Sequence, residues 1–254
     1  MSEAGQIVGS AGNSASGDRE IYSGYFEVLL PFFDGFEVDI AGRYDDYSDY
    51  GSDFAPKISA RWHPLENWTF RGSYGEGFRA PSLDLLSAKP SFSASFVTHA
   101  ETCVAQGLSP NCETQINEWR IANSGLESEQ SEQFGLGVVW DATDWLNMSL
   151  DYYNIEISNQ IAFIGTGSIA NCLEGTGTLC PTGLTAFPSG TTLPDPSLGL
   201  GIVYGATGEI VRSQAGYTNI GTIETSGYDF SARTRFDFGE WGRLNQNFTA
   251  SYVD

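Results

Sequence analysis

The sequence predicts an all-β chain, an antiparallel transmembrane up-and-down β-barrel segment of about eight strands. Three observations carry this. Apolar residues recur with period two along most of the chain. The connections between these runs alternate between short and long. Aromatic residues gather at the short ones.

The runs are read in order. A first strand, about Glu20 to Leu30, is mixed in pattern. Next, Phe36, Val38, Ile40, Gly42 and Tyr44 alternate with Glu37, Asp39, Ala41, Arg43 and Asp45. In Pro56–His63, Pro, Ile, Ala and Trp alternate with Lys, Ser, Arg and His, which gives one apolar and one polar face. Trp68, Phe70, Gly72 and Tyr74 continue the pattern, followed by Phe134, Leu136, Val138 and Trp140. Met148, Leu150 and Tyr152 come next, then Tyr228, Phe230, Ala232, Thr234 and Phe236, and finally Phe248, Ala250 and Tyr252. Most of these strands reach the roughly 9–11 residues that a tilted strand needs to cross a bilayer.

A soluble sandwich also alternates along its strands, so the connections decide. PFFDG, HPLEN, DATD and the stretch around Asp237–Trp241 are short. Between them stand the medium loop DYSDYGSDF and two long ones, 79–131 and 158–216. Every second connection is short, as in an outer-membrane barrel with tight periplasmic turns and long external loops. Phe32, Phe33 and Phe36 flank the first short turn, Trp62 and Trp68 the second, Trp140 and Trp145 the third, and Phe236, Phe238 and Trp241 the fourth. A ring of such residues suits the level between headgroups and hydrocarbon. Phe32, Phe36, Trp62, Trp68, Trp140, Trp145 and Trp241 are therefore read as an aromatic girdle. The polar faces, with Glu37, Asp39, Lys57, Arg61, Arg71, Asp229 and Arg233, then line the interior, because charge on the lipid side costs about 2–4 kcal/mol at the midplane.

Composition agrees. Charged residues are 17% and aromatics 13%, with 30 glycines. The net charge of −20 argues against nucleic acid as a partner, since phosphate binding needs clustered Lys and Arg. No apolar run reaches the length of a transmembrane helix. Residues 1–19 form a polar, small-residue-rich segment expected to be flexible, without the basic and apolar regions of a signal peptide. The 4 cysteines fall in two close pairs, Cys103 with Cys112 and Cys172 with Cys180. Three connectivities are open; proximity favours the two local disulfides, and with them an oxidising compartment. Only His63 and His99 are present, so a zinc site lacks ligands, and no cofactor is expected.

Other motifs are weak. Asp45, Asp46, Asp49 and Asp53 make an acidic loop that reads as solvated, without the spacing of an EF-hand. Gly75-Glu76-Gly77 precedes Phe78, Arg79, Ala80 and Pro81 rather than a helix in a βαβ frame, so it is no nucleotide loop. No GxSxG occurs and no carboxylate pair stands out, so no enzyme is predicted. In the long loops Phe92, Phe96, Trp119, Phe163, Phe187 and Tyr204 either stack on a ligand or form the loops' own small cores.

The run Gly42–Leu86 resembles TonB-dependent outer-membrane receptors. A strand ends at Arg43-Tyr44-Asp45; Pro56-Lys57 opens the next, which ends at Trp62-His63-Pro64; the one after finishes Gly77-Phe78-Arg79-Ala80-Pro81. Leu150–Ile155 and Asn219–Phe230 also fit. The resemblance implies residues 20–254 as part of the receptor barrel in the outer membrane of a Gram-negative bacterium. It implies lipid as surroundings and energised uptake of a scarce solute: an iron-siderophore, cobalamin, a glycan or a peptide. It also implies the TonB complex as partner, acting through a plug. The family barrel has roughly twenty-two strands closed by a plug, and neither a plug nor a TonB box is recognised, so the chain reads as a barrel fragment. The competing reading is a secreted or surface β-rich binding or adhesion module, which would stay soluble without detergent.

Overall fold

The computed structural model describes residues 15–254. Most of the segment expected to be flexible, residues 1–14, lies outside the described residues; of its remainder, Ala15 bridges Ala88 and Arg19 donates to the Pro81 carbonyl at 2.8 Å.

In chain order the strands are β1 Ile21–Phe33, β2 Phe36–Tyr47, β3 Gly51–Leu65, β4 Trp68–Arg79, β5 Ser91–Val97, β6 Thr114–Ile121 and β7 Glu129–Thr143. There follow β8 Leu146–Ser158, β9 Ile161–Ile164, β10 Thr185–Phe187, β11 Gly201–Tyr204, β12 Ile210–Asn219, β13 Thr222–Asp237 and β14 Arg243–Val253. Three short helices are α1 Leu83–Ser87, α2 Ala100–Ala105 and α3 Thr166–Leu173. The chain divides into two units, the second made of Ile21–Arg79, Gln130–Ser158 and Thr222–Asp254.

That unit is one antiparallel sheet in the order β1-β2-β3-β4-β7-β8-β13-β14. Its strands run from 11 to 16 residues, long enough to span a bilayer. Register keeps the two faces separate across the whole sheet. On one face Phe36 pairs with Trp62 and Trp62 with Phe70, Leu136 with Tyr152, Tyr152 with Tyr228, and Tyr228 with Tyr252. On the other Glu37 pairs with Arg61, Arg61 with Arg71, Gly137 with Asp151 and Asp151 with Asp229. Period-two side chains make a one-residue slip bring charge onto the apolar face, so the pattern itself fixes the register. The apolar face is bare: Leu136, Phe54 and Phe248 are more than half exposed, and the patch runs across the sheet. A continuous apolar surface of this extent marks a face that meets a membrane or another protein.

The turns at Asp34–Gly35, Glu66–Asn67, Asp144–Trp145 and Phe238–Gly242 all lie at one end. Both long excursions leave from the other, where Gln130 and Thr222 each pair with Ser158. The sheet is open, with β1 and β14 having one neighbour each.

The first unit combines 80–129 and 159–221 with the segment that ends at Glu20. The sequence leaves these stretches as loops, whereas the structure folds them into one sheet with its own core. β12 of the second excursion pairs in parallel with β6 of the first, from Arg212↔Asn117 to Gly216↔Ile121. β5 pairs with β6, β11 and β9 with β12, and β10 with β11. Ile116, Ile121, Ile164, Ile169, Ile202, Ile210 and Ala215 form the main core. The cysteines close as Cys103–Cys112 and Cys172–Cys180, and α2 and α3 each carry one member of a pair.

Candidate functional site

Two polar constellations stand out, one in each unit. In the sheet unit a trough of about 580 Å³ lies against the charged face, with Glu37, Asp39, Arg61, Arg71, Asp151 and Asp229 in its lining. Arg61 and Arg71 stand directly opposite each other, and each is neutralised sideways. Arg61 Nε lies 2.8 Å from Glu37 Oε1, and Arg71 donates from Nε and Nη2 to the two oxygens of Asp151 at 2.8 and 2.7 Å. Asp39 Oδ1 is buried without a hydrogen-bond partner among the described residues. This is the charged face that the alternation predicts.

The aromatic residues that the sequence suggests as a girdle gather at the short-turn end. Trp68 stacks on Trp140 at 5.3 Å and Trp145 on Phe236 at 5.1 Å, Phe32 and Phe36 are 6.0 Å apart, Trp62 lies 5.9 Å from Phe70, and Trp241 is almost fully exposed. At the opposite end, Gly77, Phe78 and Arg79 are the last residues of β4, and Phe78 meets Tyr47 edge-on at 6.2 Å. Ala80 and the buried Pro81 lie beyond it, as a residue without an amide N–H requires at the end of a ladder. The acidic stretch is not the solvated loop that the sequence suggests: Asp45 and Asp46 belong to β2 and Asp53 to β3, Asp49 alone stands in the turn between them, and Asp45 is buried. Asp45 is held by Arg43 and Ser23, and Asp53 accepts from Tyr50 and Gln130. Among the described residues no group of three His, Cys, Asp or Glu is placed to hold a metal.

In the excursion unit the loop aromatics separate into two classes. Phe187 is buried with Leu193 and Val203, and Trp119 packs against them while meeting Phe92 edge-on at 5.4 Å; these are core. Tyr204 packs against the main core, its hydroxyl buried without a partner among the described residues. Burial first, then the carboxylates of Glu174 and Glu101, push its phenol above the ordinary value. Phe96 stays exposed at 61%.

Phe163 belongs to a cleft of about 290 Å³. The β9–β12 ladder sets Phe163 opposite Tyr217, and their rings meet edge-on at 5.4 Å. The guanidinium of Arg120, from β6, lies over the Phe163 ring at 5.0 Å. Its Nε donates to Glu118 Oε1 at 3.1 Å, and its Nη atoms have no hydrogen-bond partner among the described residues. Asp84 and Leu85 of α1 also line the cleft. A cation held flat on one ring beside a second aromatic can take a planar, anionic aromatic group through charge and stacking together. The sequence reading passes over Arg120 and Glu118. Of the 12 Lys and Arg, only Lys89, Arg120 and Arg212 fall in the excursions, which is the one sequence signal that marks Arg120.

The family model for the TonB dependent receptor-like β-barrel matches residues 2–254. The chain belongs to the TonB-dependent receptor family. It is therefore a transmembrane β-barrel chain of the Gram-negative outer membrane, in a family of transport receptors. Among curated proteins it is 34% identical, over 62 residues (24% of this chain, 10% of the relative), to the iron-regulated outer membrane virulence protein of Vibrio cholerae serotype O1. It is 26% identical over 156 residues (59% of the chain, 20% of the relative) to the ferric enterobactin receptor PirA of Pseudomonas aeruginosa. The chain thus spans about a fifth or less of the length of these relatives. Among solved structures, the siderophore receptor PirA of Acinetobacter baumannii superposes with a TM-score of 0.60 at 21% identity, over 93% of this chain and 29% of that one. A ferric enterobactin receptor mutant of Pseudomonas aeruginosa in complex with enterobactin gives 0.58 at 15%, over 92% and 27%. These likenesses establish the fold.

Proposed function

We propose that this chain is an arc of the wall and two outer excursions of a receptor for energised uptake of a ferric siderophore, of the anionic, aromatic catecholate class. The apolar sheet face meets outer-membrane lipid, and the aromatic cluster at the short turns marks the periplasmic interface. The excursions, which leave from the opposite end, face outward and capture the chelate. Coupling to the TonB complex runs through a plug supplied elsewhere in the receptor. The iron-related names of the relatives support the solute class, but one observation carries it: the Arg120 guanidinium on the Phe163 ring beside Tyr217, with its Nη edge unpaired among the described residues.

Binding of a ferric tris(catecholate) to the receptor that carries this chain tests the reading. Arg120→Ala weakens it about tenfold or more, since a charge-assisted contact and a stacking contact are lost together. Asp84→Asn, which removes the carboxylate from the cleft, leaves binding intact or tightens it. A receptor that ignores ferric catecholates, or binds them equally well without Arg120, contradicts the reading.

A further inference from the structure

We propose that Glu118 is a positioning residue for this cleft: it fixes the plane and direction of Arg120 and thereby sets the preference for anionic ligands. The inference rests on the reading of the cleft given above.

Glu118 occupies an unusual place. In β6 the residues Thr114, Ile116 and Glu118 share the buried phase, and the Glu118 side chain is fully buried. A carboxylate at a core position costs several kcal/mol of desolvation unless hydrogen bonds and a counter-charge offset it. Its two oxygens divide the work. Oε2 accepts from the Thr166 amide at 3.2 Å and the Thr166 hydroxyl at 2.9 Å, at the start of α3, and Thr166 Oγ1 is in turn 2.5 Å from Ser213 Oγ. Oε1 accepts from Arg120 Nε at 3.1 Å. The carboxylate is thus locked from one side and grips the guanidinium by its Nε edge from the other. Arg120 Nε is saturated, its face rests on Phe163, and only the Nη edge remains for a ligand. A free arginine would have to order its rotamers on binding; one held at Nε and at its face has already lost much of that freedom.

The substitution Glu118→Gln separates this from plain support of the fold. Its amide oxygen still accepts from Thr166, while its amide NH₂ turns toward Arg120 Nε–H and sets donor against donor. Titrations use a ferric tris(catecholate) and a neutral ferric trihydroxamate on the intact receptor. We expect E118Q to lower affinity for the anionic chelate about tenfold with little change for the neutral one. In the Arg120→Ala background the same substitution should have no further effect, because its action passes through Arg120. Thr166→Val, which removes only the hydroxyl and keeps the backbone amide that holds Oε2 in place, lowers the melting temperature but leaves the anion-to-neutral affinity ratio unchanged.

Equal loss for both chelates in E118Q, or an equal effect of E118Q with and without Arg120, overturns the positioning role. So does a T166V variant that shifts the ratio as E118Q does. If R120A itself binds the anionic chelate like the wild type, the cleft reading fails and this inference falls with it, an outcome distinguishable from the others by the single variant alone.

Discussion

Arg71 on β4 and Asp151 on β8 are joined by two hydrogen bonds of 2.8 and 2.7 Å that cross over the intervening strand at Gly137. A Cβ on Gly137 would stand 2.0 Å from Asp151 Oδ1 and 2.8 Å from Arg71 Nε. The glycine is there to let the pair close across β7. Arg71 is half exposed, so the pair itself contributes little, about 0.2–1 kcal/mol. Gly137→Val is predicted to cost more than Arg71→Ala, about 1–3 kcal/mol, since it forces backbone and side chains apart as well as breaking the pair. Denaturant unfolding in detergent reads both; a Gly137→Val variant as stable as the wild type contradicts the crossing.

His99 ties the two excursions together. Its Nδ1 accepts from the Thr102 amide at 3.3 Å, capping α2, while Thr102 Oγ1 accepts from the Ile210 amide and lies 2.7 Å from the same Nδ1. The proton is thereby assigned to Nε2, which donates to Glu174 at 2.7 Å. His99→Ala removes a helix cap and one bond between the excursions, at a cost of about 1–2 kcal/mol. Amides of residues 102–106 should exchange with deuterium about tenfold faster; unchanged protection would show that the cap carries no weight.

Tyr204 gives an alkaline signature. Its phenol is pushed up by burial and by Glu174 and Glu101, so the folded state holds the proton more tightly than the unfolded one. Stability from this source is complete below about pH 10, the ordinary tyrosine value, and is lost as pH rises through the higher folded value. Tyr204→Phe should flatten that alkaline arm. At neutral pH it should cost nothing or stabilise by up to about 1 kcal/mol, because the buried hydroxyl it removes has no partner among the described residues. Melting curves from pH 7 to 11 check this, and an unchanged slope in the variant contradicts it.

The Cys172–Cys180 bridge closes a separation of 8 residues around Gly177, whose added Cβ would lie 2.7 and 2.8 Å from the two sulfurs. Replacing both cysteines by serine is expected to cost about 2–3 kcal/mol by freeing that loop in the unfolded chain. Gly177→Ala should impede closure, seen as a free-thiol signal in the oxidised protein. Full oxidation of the alanine variant would contradict the packing.

The wall was legible because each of its strands is paired to a neighbour over many residues and carries one face for each solvent. Pro56–His63 states the period within eight residues, and its register partners repeat it. β1 was blurred because Tyr25 and Leu29 place apolar groups in the phase that elsewhere holds charge, and both are well exposed on the open edge. The excursion unit was not legible. β9, β10 and β11 have 4, 3 and 4 residues, too short for a period to register. Its decisive pairing, Arg212 with Asn117, is parallel and joins segments far apart in the chain. Glu118 was hidden for a different reason: a carboxylate in a buried phase reads as a surface residue until the Thr166 and Arg120 partners are seen.

The central claim is a wall with short turns inside the periplasm and both excursions outside the cell. Single cysteines introduced at Ala94 and Ser189 in the excursions, and at Glu66 and Asp144 in the short turns, all sit on exposed positions. Labelling with a membrane-impermeant maleimide tests the claim directly. The account predicts reaction at 94 and 189 in intact cells, and at 66 and 144 only after the outer membrane is broken. Labelling of 66 and 144 in intact cells, with 94 and 189 protected, would contradict it.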